Sequence, residues 1–98
     1  MNPHDLYNHI QSRLGVSNRK SGRLELSDKW ARAIFCSIVK ESGLSVFDIC
    51  QIVDRDYGTV NRDIRELYRL RFENDFISRA IVQEYEKLRS EILTNKED

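Results

Sequence analysis

The sequence predicts a small all-α domain of about five helices containing a helix-turn-helix. Three observations carry that prediction. Apolar residues recur at three- and four-residue intervals almost throughout, the period of helices that bury one face. No stretch shows the strict alternation of a half-buried strand. The single proline and most of the four glycines fall at or beyond the ends of the periodic segments, where helices start and stop. At 98 residues, 40% of them hydrophobic, one domain over 1–98 is expected.

The first helix opens at Pro3, whose fixed φ suits a first turn. It continues through Leu6, Ile10 and Leu14, with Tyr7 beside them. Gly15 marks its stop. Residues 15–26 show no helical period and carry Arg19, Lys20 and Arg23 around Gly22, which predicts a flexible basic loop.

Ser27 is the expected N-cap of the second helix, with Asp28 favourably placed against its dipole. Trp30, Ile34, Phe35, Ile38 and Val39 form a wide apolar stripe there, and Lys40 and Gly43 mark its end. Ser45 caps a short third helix with Val46, Ile49, Cys50 and Val53 on one face and Asp48 at the capping-box position. Asp54-Arg55-Asp56 breaks the period.

Asp56 is the expected N-cap of a fourth helix that runs to about Arg71. Val60, Ile64, Leu67 and Tyr68 face inward, and Asn61, Arg62, Arg65 and Arg69 face outward. A last helix, from about Asn74 to Leu93, buries Ile77, Ile81, Tyr85 and Leu88, and Thr94–Asp98 is expected to fray. Trp30, Phe35, Phe47 and Phe72 are expected in core or inter-helix packing.

Charge sets the next boundary. Sixteen Lys+Arg balance sixteen Asp+Glu, which taken alone argues against a strongly basic nucleic-acid binder. The total conceals an asymmetry. Residues 1–71 hold 12 basic against 9 acidic side chains, and residues 72–98 hold 4 against 7. The excess of three in the first part predicts modest DNA affinity, supplemented by a protein partner or a second copy.

Other classes are disfavoured. No apolar run approaches the roughly 20 residues of a membrane span, and Met1–Asp5 lacks the basic stretch and apolar core of a secretory signal. A cytoplasmic chain, associated with the nucleoid if it binds DNA, is expected, with no membrane partner. Cys36 and Cys50 sit among apolar neighbours and form no Cys-x-x-Cys pair, so buried free thiols are expected rather than zinc or redox chemistry. The glycines form no phosphate-binding loop. His4 and His9 have no partners at metal-binding spacing, and Asp54 and Asp56 lack the further oxygen ligands of a calcium loop. No nucleophile–base cluster is visible. No enzyme activity, cofactor, nucleotide site or metal is therefore expected.

What remains is a binding chemistry. A short capped helix, a tight turn and a longer helix with outward arginines match the helix-turn-helix, whose second helix enters the major groove. Tyr57 and Gly58 stand at the start of that helix, and Asn61, Arg62 and Arg65 lie near one exposed face. Arg pairs bidentately with guanine and Asn with adenine. Gly58 permits close backbone approach, and Thr59 can hold a phosphate at the helix N-terminus.

Arg55-Asp56-Tyr57-Gly58-Thr59-Val60, followed by Ile64, Arg65 and Leu67, resembles the Gly-Gly-Arg-Asp-His-Thr-Thr-Val signature. That signature marks the C-terminal DNA-binding domain of the bacterial replication initiator DnaA. Ser45-Val46-Phe47-Asp48-Ile49 is similar to the family's Ser-Leu-Pro-Glu-Ile, and Lys40-Glu41 to its Lys-Glu. The resemblance covers about residues 27–90. It implies a helical fold related to the Trp repressor, with the recognition helix in the major groove and a basic loop in the minor groove of duplex DNA. By position, Asp56, Tyr57, Gly58 and Thr59 become base-contacting candidates. Arg55 becomes a phosphate or base contact, and Arg23 the nearest match to the minor-groove arginine. The family's His is Tyr57 here, the first Thr of its pair is Gly58, and Asp54 replaces its Gly-Gly. Its ATPase domain is not represented. The implied role is in replication initiation or its regulation.

Blander assignments compete. The arginines of the fourth helix form a solvated face if Asp63 and Glu66 pair with them along the helix. Tyr57 then packs across the turn, Gly58 relieves crowding between the two helices, and the loop Arg19–Arg23 is surface. On that alternative the chain is a protein-interaction module that keeps the fold without DNA binding; a separate alternative is a phage or mobile-element transcriptional regulator.

Overall fold

The computed structural model describes residues 2–14 and 22–95. It is all-helical, with no strand among the described residues. The order is α1 (Pro3–Arg13), α2 (Gly22–Glu41), α3 (Val46–Val53), α4 (Tyr57–Leu70) and α5 (Phe76–Asn95).

α2 is the axis of the fold. Every residue from Ala31 to Val39 is buried, because α1, α3, α4 and α5 all pack against this helix. The apolar stripe predicted for one face is therefore only part of its contact surface. Ala31 and Ala33 are fully buried beside Ile34, Phe35 and Ile38, small side chains that let neighbouring helices approach closely. α1 contributes Leu6 and Ile10 to this core, α3 Ile49 and Val53, α4 Val60 and Leu67, and α5 Tyr85 and Leu88.

Caps set most of the boundaries. Asn2 Oδ1 accepts from the Asp5 amide at 2.9 Å and starts α1 one residue before the proline. Ser45 Oγ accepts from the Asp48 amide at 3.2 Å, and Asp56 Oδ1 from the Thr59 amide at 2.8 Å. Both follow the sequence expectation. α2 ends in a Schellman pattern: Gly43, at φ +109°, donates to Lys40, and Leu44 donates back to Val39 at 3.0 Å.

Several expectations are corrected. The basic loop expected through residue 26 ends earlier, because α2 begins at Gly22. Arg23, Leu24, Glu25 and Leu26 are all good helix formers, and extending an existing helix outweighs the local capping preference of Ser27. Arg19 and Lys20 lie outside the described residues, and only the backbone of Arg23 is described. α5 starts at Phe76 rather than Asn74, because Asp75 takes the cap: its carboxylate accepts from the Ser78 amide at 3.0 Å and from the Ser78 hydroxyl at 2.8 Å. The same helix continues through Thr94 to Asn95.

Four side chains expected inside are outside. Tyr68, Ile77, Phe47 and Phe72 are exposed, the last two at 71% and 70%. Tyr68 and Ile77 sit at the edge of their helices' apolar faces, where a helical period alone does not say whether a neighbour covers them.

Candidate nucleic-acid interface

α3, a three-residue turn and α4 form the predicted unit. Asp54 turns the chain at φ 58°, ψ 47°, the left-handed region that aspartate tolerates better than most residues. Its amide and that of Arg55 both donate to the Cys50 carbonyl, closing the end of α3. Arg55 is exposed and its guanidinium donates to the Asp54 carbonyl at 3.2 Å.

Asp56 is committed to the cap. The Thr59 amide, then the Thr59 hydroxyl, hold its carboxyl below the usual range. Thr59 is half-buried and so already has a partner within the chain. Tyr57 is exposed and its ring lies 6.0 Å from that of Phe47, tilted by 45°. Phe47, which the sequence assigned to packing, thus joins the two helices at the surface. Its position off the Val46–Ile49–Cys50–Val53 face was the available signal.

Gly58 is exposed, and a Cβ there would meet only Asp56 Oδ1, at 3.8 Å, an ordinary contact. Nothing between the helices needs a glycine, so Gly58 does not relieve crowding there. Asn61 is half-buried and its amide donates to the Tyr57 carbonyl at 3.1 Å, turned along its own helix.

The arginines behave differently. Gly58, Arg62, Arg65 and Arg69 repeat at spacings of four, three and four, which lines them along one side of α4, and all four are exposed. Opposite them Val60, Asp63 and Leu67 are buried.

Asp63 and Glu66 form their ion pairs with α2 rather than with the stripe. Asp63 is 0% exposed, and its carboxylate receives Arg32 Nε and Nη2 from α2 at 2.5 and 3.4 Å. Glu66 Oε1 lies 2.7 Å from Lys29 Nζ, also on α2, and Lys29, with smaller contributions from Arg62 and Arg69, holds its carboxyl below the usual range against some desolvation. Both carboxylates of α4's interior are thus drawn across to α2. Among the described residues Arg62, Arg65 and Arg69 enter no ion pair. The arginines form the exposed face that the blander assignment expects, but without its direct ion pairs along the helix; Arg62 and Arg69 act on Glu66, and Arg62 on Asp56, only at longer range.

Comparison with known protein families, with curated proteins and with solved structures finds no match to this chain.

Elsewhere the chemistry is sparse. Among the described residues no three His, Cys, Asp or Glu side chains converge as a metal site. No described helix is long and apolar enough to cross a membrane. Cys36 and Cys50 are free; burial pushes the Cys36 thiol up to about 12, with Asp63 adding to the effect. Such a thiol stays protonated and is a poor nucleophile.

Proposed function

We propose that this chain binds double-stranded DNA through α3, the turn 54–56 and α4, without catalysis. The supporting observation is the exposed arginine stripe of α4, which enters no ion pair among the described residues while Asp63 and Glu66 bind Arg32 and Lys29 of α2. Arg62 and Arg65 are the base-edge readers, on the central turns of α4. Arg55 and Arg69 anchor phosphates on either side. Arg62 and Arg69 are separated by about 10 Å of helix, close to the ~12 Å width of the major groove. Tyr57 and Phe47 form an apolar edge beside them, suited to a thymine methyl or sugar. Asp56, Thr59 and Asn61 shape the end of the helix, and their polar groups already have partners in the chain. Arg19, Lys20 and Arg23 remain candidates for the adjacent minor groove.

On this proposal the chain is a DnaA-like module acting in replication initiation or its regulation. Anisotropy of a labelled random-sequence duplex at about 50 and 200 mM salt tests it. Four arginines that each release one counterion give roughly a hundredfold loss of affinity over that interval. Absence of binding at the lower salt refutes the proposal. One observation favours a protein-interaction module instead: exposed aromatic side chains cluster at the far end of α4.

A further inference from the structure

We propose that the cleft between α2, α4 and α5 binds a small organic carboxylate with an aromatic or short aliphatic body. The inference stands apart from DNA binding, since no residue of the arginine stripe lines this cleft.

Helical spacing builds the site. Ser37, Lys40 and Glu41 share one side of α2, and Ile64, Leu67, Tyr68 and Arg71 share one side of α4. Tyr85 and Arg89, four residues apart on α5, close the third side. The space between them is about 310 Å³, at the lower end of the range for small-molecule sites. Ile64, Leu67 and the Tyr68 ring give it an apolar wall.

A buried polar group in that cleft is left without a partner. Ser37 is 8% exposed, and among the described residues its hydroxyl makes no hydrogen bond. Ser42, just past the end of the same helix, turns its own hydroxyl back to the Ile38 carbonyl at 3.1 Å; Ser37 makes no such bond. Nor is its hydroxyl sealed in the core, because the residue lines the cleft. A buried hydroxyl without a hydrogen bond is costly, and the cleft is the side from which a partner reaches it.

Charge selects the head of the ligand. Lys40, Arg71 and Arg89 stand against one carboxylate, Glu41, and three against one leaves a positive excess. Glu41 is engaged: the Tyr85 hydroxyl donates to it, and Arg89 Nε donates at 2.7 Å. Against desolvation, these two and, at longer range, Arg71 hold its carboxyl below the ordinary value. Arg89 also feels Glu86. Arg71 is held over the rings of Tyr68 and Tyr85, 5.8 and 5.5 Å from their centroids. Among the described residues neither Lys40 nor Arg71 enters an ion pair. A carboxylate accepts from the Ser37 hydroxyl and sits between Lys40 and Arg71, while its body lies on the apolar wall. An ammonium group finds the cleft's one carboxylate already occupied, which disfavours amines.

The test is a titration of the isotope-labelled full chain with 3-phenylpropionate at constant ionic strength, without DNA, followed by amide shifts. Saturable shifts around Ser37, Lys40 and Leu67 are expected, with a Kd on the order of a few millimolar. The neutral 3-phenylpropionamide and inorganic phosphate, which lack the charge or the body, bind at least about fivefold more weakly. Lys40→Gln weakens 3-phenylpropionate about threefold or more. Ser37→Ala does the same while its melting temperature is kept or raised, because the hydroxyl it removes has no partner in the chain. Absence of saturation by about 20 mM overturns the proposal, as do shifts centred on the arginine stripe. So does an amide or phosphate that binds as tightly as the carboxylate, or binding left unchanged by Lys40→Gln or by Ser37→Ala. None of these outcomes bears on duplex binding, which is measured separately.

Discussion

The two ends of α4 present different surfaces on one helix. From Gly58 to Arg69 the outward side is arginine and glycine; from Tyr68 across the turn to Ile77 exposed rings and an isoleucine stand among charged side chains of both signs. The core contacts beneath do not explain the contrast, since Val60, Leu67 and their neighbours are apolar throughout. The partners of the charged residues do. In the middle of the helix, α2 offers Arg32 and Lys29 to Asp63 and Glu66, which leaves the outward arginines outside any ion pair among the described residues. At the end, Arg71 is held over the rings of Tyr68 and Tyr85 instead. A helix's binding character is thus set as much by what its neighbours remove as by what it displays.

The largest expected effect comes from the buried pair. Asp63→Leu leaves the Arg32 guanidinium in the interior without its carboxylate and is expected to cost about 3–5 kcal/mol. That is much of the ~5–15 kcal/mol that stabilises an ordinary domain. Arg32→Met combined with Asp63→Leu recovers most of it. Urea titration of the three variants measures both effects. A double variant no more stable than Asp63→Leu shows that the pair is not the origin of the loss.

The arginine end comes next. Arg65→Ala is expected to weaken binding to a preferred duplex by about 1–3 kcal/mol if its contact is bidentate. Equal binding by the variant removes Arg65 from the interface.

The cap at the start of α4 has a pH signature. Thr59 holds the folded Asp56 carboxyl below its ordinary value, so the cap's contribution is complete above about pH 4, the unfolded value, and fades as pH falls through the lower folded one. Asp56→Ala lowers the melting temperature at neutral pH. Asp56→Asn keeps an oxygen acceptor and is expected to flatten the acid dependence while retaining much of the cap. Melting curves between pH 3 and 7 separate the two variants.

The smallest effect belongs to the aromatic corner. Phe72→Ser changes monomer stability by less than ~0.5 kcal/mol, whereas Phe35→Ala in the core costs about 3–5 kcal/mol. A large loss from Phe72→Ser would mean that this ring supports the fold and not only a surface.

Much of this was legible in the residue order. Leu6 and Ile10, the stripe Ile34–Ile38, the caps Ser45 and Asp56, and the break at Asp54–Asp56 follow from helical period and from side chains that satisfy free amides at helix ends. These are local properties, and local energies decide them. Other features needed the assembled helices. The exposure of Phe47, Tyr68, Phe72 and Ile77 reflects which apolar edges found no neighbour. Asp63 and Glu66 are near-neighbours of Arg62, Arg65 and Arg69 in the chain, yet their carboxylates belong to Arg32 and Lys29, about thirty or more positions earlier in the sequence. Sequence by itself determined where the helices lie and which residues are charged. Only tertiary packing decided which charges are cancelled, because an ion pair depends on distance in space rather than along the chain.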